Sequence, residues 1–290
     1  MTKELNRYIR SDIHKVHGWL EQVDVDYILE IASHQNHSKV FGSVGEIGVH
    51  HGKLFILLNL LTREDEHSFA IDLFNEQKEN IDRSGLGDIN IFKSNLDRYA
   101  INNQNIKILS VNSLDLDKDF YREATSNKFK LFSIDGGHHY EAVINDLKIV
   151  EEVMVEGGVV LLDDILNPLW IEVVSAYSSY KLQGGKLVAF AITKDKLYLT
   201  NSKKHAEEYQ EVLTNSFNSK MNFLIKELFG DKVLTYYSRL LKNAINPVNL
   251  KFLLKKPIVS IKLFISVIKR TTKEEKWELG PLSSQSEFDT

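Results

Sequence analysis

No cysteine occurs in the 290 residues. Disulfides, thiolate nucleophiles and zinc-thiolate sites are excluded together, and the chain suits a reducing compartment. No strong positive excess exists either: the formal net charge is -4, which argues against binding nucleic acid by bulk attraction to phosphates. The first residues, Met1-Thr-Lys-Glu-Leu-Asn-Arg7, lack the apolar core of a signal peptide, so a cytoplasmic protein is the expectation. No apolar run is long enough for an ordinary membrane span. The most apolar stretch, 251–270, is interrupted by six basic residues and Pro257. A G-x-G-x-x-G turn, the mark of nicotinamide binding, is missing as well.

What is present is a series of short apolar runs that end in polar residues. Val44-Gly-Glu-Ile-Gly-Val49 leads through a glycine turn ending at Gly52 into a helix carrying Phe55, Leu58 and Leu61 on one face. Ser68-Phe-Ala-Ile71 closes on Asp72, Ile106-Lys-Ile-Leu-Ser-Val111 on Asn112-Ser113, and Lys130-Leu-Phe-Ser-Ile134 on Asp135. A helix then places Val143, Leu147, Val150 and Met154 on one face, with Gly157-Gly158 expected to stop it. Val159-Val-Leu-Leu162 closes on Asp163-Asp164. After a helix around 170–180, Leu187-Val-Ala-Phe-Ala191 and Lys196-Leu-Tyr-Leu-Thr200 flank a hairpin turn at 193–196. Alternating strands and helices with a closing hairpin predict an α/β fold: a doubly wound, mostly parallel, seven-stranded sheet. An N-terminal helix with Val25, Ile28, Ile31 and Ala32 on one face is expected as a lid or oligomer contact. The expected organisation is a lid over 1–38, a catalytic domain over 39–202, a helical and basic extension over 203–272, whose polar helical part runs from about Lys203 to Leu228, and a polar tail over 273–290.

In such a sheet ligands collect at the carboxyl ends of the strands. There the Glu46-Ile-Gly-Val-His-His-Gly52 turn brings backbone close to a ligand and aims helix N–H groups at an anion. Asp72 is placed to accept the hydroxyls of a ribose, and Asn112 and Ser113 to border an adenine ring. Asp135, Asp163 and Asp164 offer oxygen ligands to a hard divalent cation, and His138 a proton acceptor beside them. His139 is the rival base. His50 and His51 read as turn residues first. His14, His17 and Trp19 lie in a stretch that either covers an acceptor or packs at a surface.

Taken together, the glycine turn, Asp72, the Asp135-Gly-Gly-His138 segment with Tyr140 and Asp146 after it, and the Gly157 to Asp164 strand resemble the class I S-adenosylmethionine-dependent methyltransferases. Within that fold the chain is similar to the metal-dependent O-methyltransferases of macrolide sugars and related glycans. The resemblance covers about residues 40 to 200. It implies S-adenosylmethionine as cofactor, held by Glu46, Gly48, His50, Gly52, Asp72, Asn112, Ser113 and Asp135. It implies magnesium, or another hard divalent cation, on Asp135, Asp163 and Asp164, with His138 and Asp135 as catalytic residues. One position departs from the pattern: related turns carry a small hydroxyl residue where this chain has Leu54, which leaves the cofactor carboxylate to helix N–H groups with His50 or Lys53.

The chemistry needs such a set. An aliphatic hydroxyl is a weak acid and a poor nucleophile, while its alkoxide attacks a sulfonium methyl readily. The expected activity is O-methylation of a small-molecule or glycan acceptor. The alternatives are a catechol-type O-methyltransferase and a non-catalytic nucleoside-binding or membrane-associated scaffold. No nucleic-acid partner is expected. The basic, apolar segment 251–270 has two readings, peripheral contact with an anionic membrane surface or docking on the catalytic domain or a second subunit in a homo-oligomer.

Overall fold

In a computed structural model, the structure describes residues 2–116, 120, 123–124, 126–219 and 221–238. The chain divides into a compact unit, Met1–Tyr236, and a second unit, Tyr237–Thr290. The basic segment 251–270 and the tail 273–290 lie outside the described residues.

In chain order the main elements are α1 (Lys3–Arg7), α2 (Gln22–His37), β1 (Ser43–Ile47), α3 (Lys53–Asn59), β2 (Ser68–Asp72), α4 (Ile89–Tyr99), β3 (Ile106–Ser110), β4 (Phe129–Ile134), α5 (Tyr140–Val153), β5 (Met154–Leu162), α6 (Ile171–Leu182), β6 (Val188–Ile192), β7 (Leu197–Thr200), α7 (Lys203–Phe217), β8 (Met221–Leu228) and β9 (Asp231–Ser238). The strands form one sheet in the order β3-β2-β1-β4-β5-β7-β6-β9-β8. β3, β2, β1, β4 and β5 run parallel, and β7 is antiparallel to both β5 and β6. The order therefore reverses between β1 and β4, where the carboxyl ends of neighbouring strands part and leave a crevice.

The sheet is buried on both faces because helices cover both, which is why its central strands read as apolar runs rather than as alternating ones. All five residues of β1 and all six of β4 are buried. Successive side chains still go to opposite faces. Leu131 and Leu161 join the core with α2, α3, α4 and α7, whereas Phe132 and Leu162 join the core with α5 and α6.

The fold class is as the sequence implies, and the hairpin at 193–196 is present, with the Thr193 N–H donating to the Lys196 carbonyl. Three local readings change. Gly157 and Gly158 do not end a helix: α5 stops at Val153, and both glycines lie inside β5. They form a bulge where the register with β4 jumps from Met154↔Phe129 to Val159↔Leu131. Gly157 takes a φ of +76°, and a Cβ on Gly158 would stand 2.8 Å from the Phe129 carbonyl oxygen. The helix expected over about 203–228 ends at Phe217, and Met221–Leu228 is a strand. The turn that returns it as β9 is Phe229-Gly230, with φ of +50° and +80°. That is the two-residue, left-handed turn that matches the twist of a hairpin. The sheet thus has nine strands rather than seven. Of the segment expected as a lid, α2 is part of the core, with Tyr27, Ile28 and Ile31 fully buried. Among the described residues no helix is long and apolar enough to cross a membrane.

Candidate active site

The crevice between β1 and β4 is knit by backbone. Gly48 N–H donates to the Ile71 carbonyl and Asp135 N–H to the Ile47 carbonyl. Gly48 has a φ of +84°, and a Cβ there would lie 1.6 Å from the Asp135 carbonyl oxygen. Only glycine allows the two loops to pass. Two residues on, His50 also adopts a left-handed backbone, at φ +52°. Its N–H donates to Asp72 Oδ2 at 2.7 Å, and the Phe74 N–H donates to Asp72 Oδ1 at 2.5 Å. Asp72 therefore binds the glycine turn to its own strand end, and burial raises its pKa against the pull of those N–H groups. Gly52, at φ +90°, caps α3.

Glu46 is buried beneath the turn, and its Oε2 has no hydrogen-bond partner. Burial, then the nearby Asp135, push its pKa well up, which favours the protonated form. An orphaned buried carboxyl, a glycine cradle without room for a Cβ and an acid at the end of β2 together fit a nucleoside cofactor bearing an amino-acid tail. Asn112 caps the short turn after β3, accepting from the Leu114 N–H at 3.1 Å, and Ser113 faces the buried Asp146. Leu54 is buried, and Lys53 Nζ donates to the Gly18 carbonyl at 2.5 Å. Leu54 offers no polar atom to a cofactor carboxylate, and one of the three Lys53 ammonium donors is taken by Gly18.

At the ends of β4 and β5, Asp135, His138 and Asp164 each place a ligand atom within 4.8 Å of the other two. Asp164 sits in the left-handed region at φ +58°, a strained conformation that aspartate tolerates better than most residues. Its N–H donates to Asp163 Oδ1 and its Oδ1 accepts from Asn167. His138 Nε2 lies 2.9 Å from Asp164 Oδ2 and 3.7 Å from Asp135 Oδ1, without hydrogen-bond alignment to either. Trp170 stacks on the His138 ring, with centroids 4.6 Å apart and planes 15° apart.

The charges divide unevenly. Burial, then Asp163, raise the Asp135 pKa to about 7. Burial opposes charge on Asp163 too, but Lys196 outweighs it and holds that carboxyl below its ordinary value. Lys196 Nζ donates to Asp163 Oδ2, and its side chain is only 3% exposed. For His138, burial alone would lower the pKa; Asp135, Asp164 and Asp82 overcome it and raise the ring to about 11. Two half-buried carboxylates beside an imidazole make a donor set that suits a hard cation. Asp163, named with them from the sequence, is instead paired with Lys196 in this arrangement. His139 stands apart from the group as the residue before α5.

Sequence reasoning missed two contributors. Asp82 accepts the His138 N–H at 2.7 Å and lies 2.9 Å from His138 Nδ1 through the same oxygen. It sits in a polar loop, 56 residues earlier, whose only local mark is the Asp82-to-Ser84 turn. Lys196 read as a hairpin residue. Its role follows from register, since Leu162 pairs with Leu197 and so brings 163 opposite 196.

Residues 46–165 match the family model described as a methyltransferase domain. Among solved structures, the chain is similar to CalS11, described as a TDP-rhamnose 3'-O-methyltransferase of calicheamicin biosynthesis, at 16% identity and a TM-score of 0.49 over 68% of this chain and 92% of that one. It is also similar to the O-methyltransferase NovP, at 16% identity and a TM-score of 0.47 over 62% and 81%. A third is an O-methyltransferase from Bacillus cereus in complex with SAH, at 11% identity and a TM-score of 0.46 over 69% and 91%. No curated protein matches.

Proposed function

We propose, on the match of residues 46–165 to a methyltransferase domain and on the geometry of the site, that the chain is an S-adenosylmethionine-dependent O-methyltransferase that works with a hard divalent cation on a hydroxyl of a sugar or glycan. The observation that carries this reading is the convergence of Asp135, Asp164 and His138 next to the glycine turn. S-adenosylmethionine, when bound, supplies a methyl group on a positively charged sulfur. A hard cation, magnesium first, would be held by Asp135 and Asp164 and would acidify the acceptor hydroxyl.

The chain's own residues do the rest. Glu46, Gly48, Gly52 and Asp72 shape the cofactor cradle, and Asn112 and Ser113 border it. His138 takes the hydroxyl proton at Nε2, because Nδ1–H is held by the Asp82 carboxylate. Asp82 stays ionised: burial opposes charge there, but hydrogen bonds from His138 and Ser84 take its carboxyl well below the usual range. A cation held by Asp135 and Asp164 would offset two of the three negative charges that face the ring and so favour its neutral form, with Nε2 able to accept a proton. Trp170 fixes the ring plane and offers an aromatic wall to a sugar face.

The test is calorimetric titration of the full chain with S-adenosylmethionine, with and without magnesium, followed by a methyl-transfer assay on sugar acceptors. Wild type is expected to bind cofactor. Asp164→Ala is expected to bind it as well and to lose metal-dependent turnover. Equal loss of cofactor binding in Asp164→Ala contradicts the separation of roles, and no binding by wild type sinks the whole reading.

A further inference from the structure

His17, His50 and His51 form a second cluster, beside the glycine turn; the proton transfer uses none of the three rings, and only His50 is also expected near the cofactor. Each offers a ring nitrogen within 4.8 Å of the other two. The rings of His50 and His51 stack at 3.9 Å, and the His17 centroid lies 5.2 Å and 5.6 Å from theirs. His50 Nδ1 and His51 Nε2 are buried without a hydrogen-bond partner. A buried polar atom left unsatisfied is destabilising, so two such nitrogens side by side call for a ligand.

The surrounding chain holds the three rings in place. The His50 backbone is fixed by Asp72 at 2.7 Å. The segment carrying His17 is tied to the start of α3 by Lys53 Nζ on the Gly18 carbonyl at 2.5 Å and by the Tyr8 hydroxyl on the Lys53 carbonyl at 2.8 Å. Asp72 and Asp88 place negative charge near His51. Three imidazoles and no carboxylate in the group is a donor set for a borderline transition metal, whereas magnesium and calcium require oxygen.

We propose that His17, His50 and His51 bind one divalent transition-metal ion of the zinc, cobalt and nickel class, which clamps the N-terminal segment onto the glycine turn. Three protein ligands leave a coordination position open, and the exposed His17 gives the ion a way in. The site is separate from Asp135, His138 and Asp164, and it stands or falls independently of the O-methyltransferase reading.

The experiment uses the full chain, stripped with chelator and titrated with Co2+. Visible d–d absorption reports the coordination, and native mass spectrometry reports the stoichiometry. With excess Mg2+ present to fill the carboxylate site, one Co2+ per chain is expected, with a band that Zn2+ displaces. His17→Ala removes only an exposed ring, so the fold is kept; it is expected to weaken Co2+ binding roughly tenfold or more, while Asp164→Ala leaves it unchanged. Absence of the band in wild type overturns the proposal. So does equal affinity in His17→Ala, or loss of the band in Asp164→Ala.

Discussion

Asp82 and His138 meet twice through one oxygen: Asp82 Oδ2 accepts the His138 backbone N–H at 2.7 Å and lies 2.9 Å from the ring Nδ1. The loop after β2 thereby sets both the position of the backbone and the protonation of the imidazole at the end of β4. Asp82→Asn keeps an acceptor for the backbone and removes the charge. The His138 pKa, near 11 beside three carboxylates, is expected to fall, because the imidazolium loses an anionic partner. Methyl transfer is expected to slow roughly 10- to 100-fold with cofactor affinity unchanged. NMR titration of the ring protons and a rate assay check the two halves separately, and a rate like wild type excludes a positioning role for Asp82.

Asp72 has a structural duty besides its expected contact with the cofactor. Its two oxygens hold the His50 and Phe74 N–H groups, and hydrogen bonds to a charged group contribute about 1.5–3 kcal/mol each. Asp72→Ala is expected to lower unfolding stability by about 3 kcal/mol or more and to abolish cofactor binding. Asp72→Asn keeps one acceptor oxygen and is expected to lose about half of that stability. Urea denaturation measures the first effect and calorimetric titration the second. Full stability in Asp72→Ala would show that the turn does not depend on this residue.

Asp146 gives the fold a pH dependence. It is fully buried on α5, with Oδ2 unpartnered, and burial raises its pKa to about 7. In the unfolded chain the same carboxyl titrates near ~4. Between those values the folded form holds a proton that the unfolded form has released, so stability falls as pH rises from about 4 to about 7 and is level above. The loss is on the order of 4 kcal/mol. Asp146→Asn cannot titrate, so its stability minus that of wild type should grow across this window. Calorimetric unfolding at a series of pH values measures it, and parallel curves for the two proteins refute the assignment.

The pair between Lys196 and Asp163 is buried at the lysine and largely shielded at the carboxylate, with side chains 3% and 13% exposed. Truncating one partner of such a pair typically costs about 3–5 kcal/mol, because the other charge is left uncompensated. Lys196→Met is therefore expected to lose roughly that much. The double change Lys196→Met with Asp163→Leu should recover most of it. If the single change costs under about 1 kcal/mol, the pair is open to water and Asp163 is free to join Asp135 and Asp164 after all.

The central strands of the parallel half were legible because burial on both faces makes them nearly bare apolar runs, and because the chemistry sits just where each run ends. Asp72, Asp135 and Asp164 could be placed that way without knowing any contact. Asp82 could not, since its partner is 56 residues distant and no periodicity marks a loop that acts through one carboxylate. The role of Lys196 was hidden for a different reason: it needs the antiparallel register of β5 and β7, and a lysine opening an apolar run gives no sign of what it faces. The hairpin of β8 and β9 was legible in principle from Phe229-Gly230. It was lost because no Gly or Pro separates β8 from the helix before it, so the stretch read as one continuous helix.

Asp24 on α2 accepts hydrogen bonds from the hydroxyls of Thr193 and Tyr198, 169 and 174 residues later in the chain. During synthesis, at about 5–20 residues per second, a helix made at the start waits roughly 10 to 30 seconds for the strand that completes it. Through that interval the apolar face of α2, with Tyr27, Ile28 and Ile31, has no finished surface to rest on. Chaperone demand during biogenesis should therefore centre on the first forty residues, the part of the chain that a catalytic reading gives least to do.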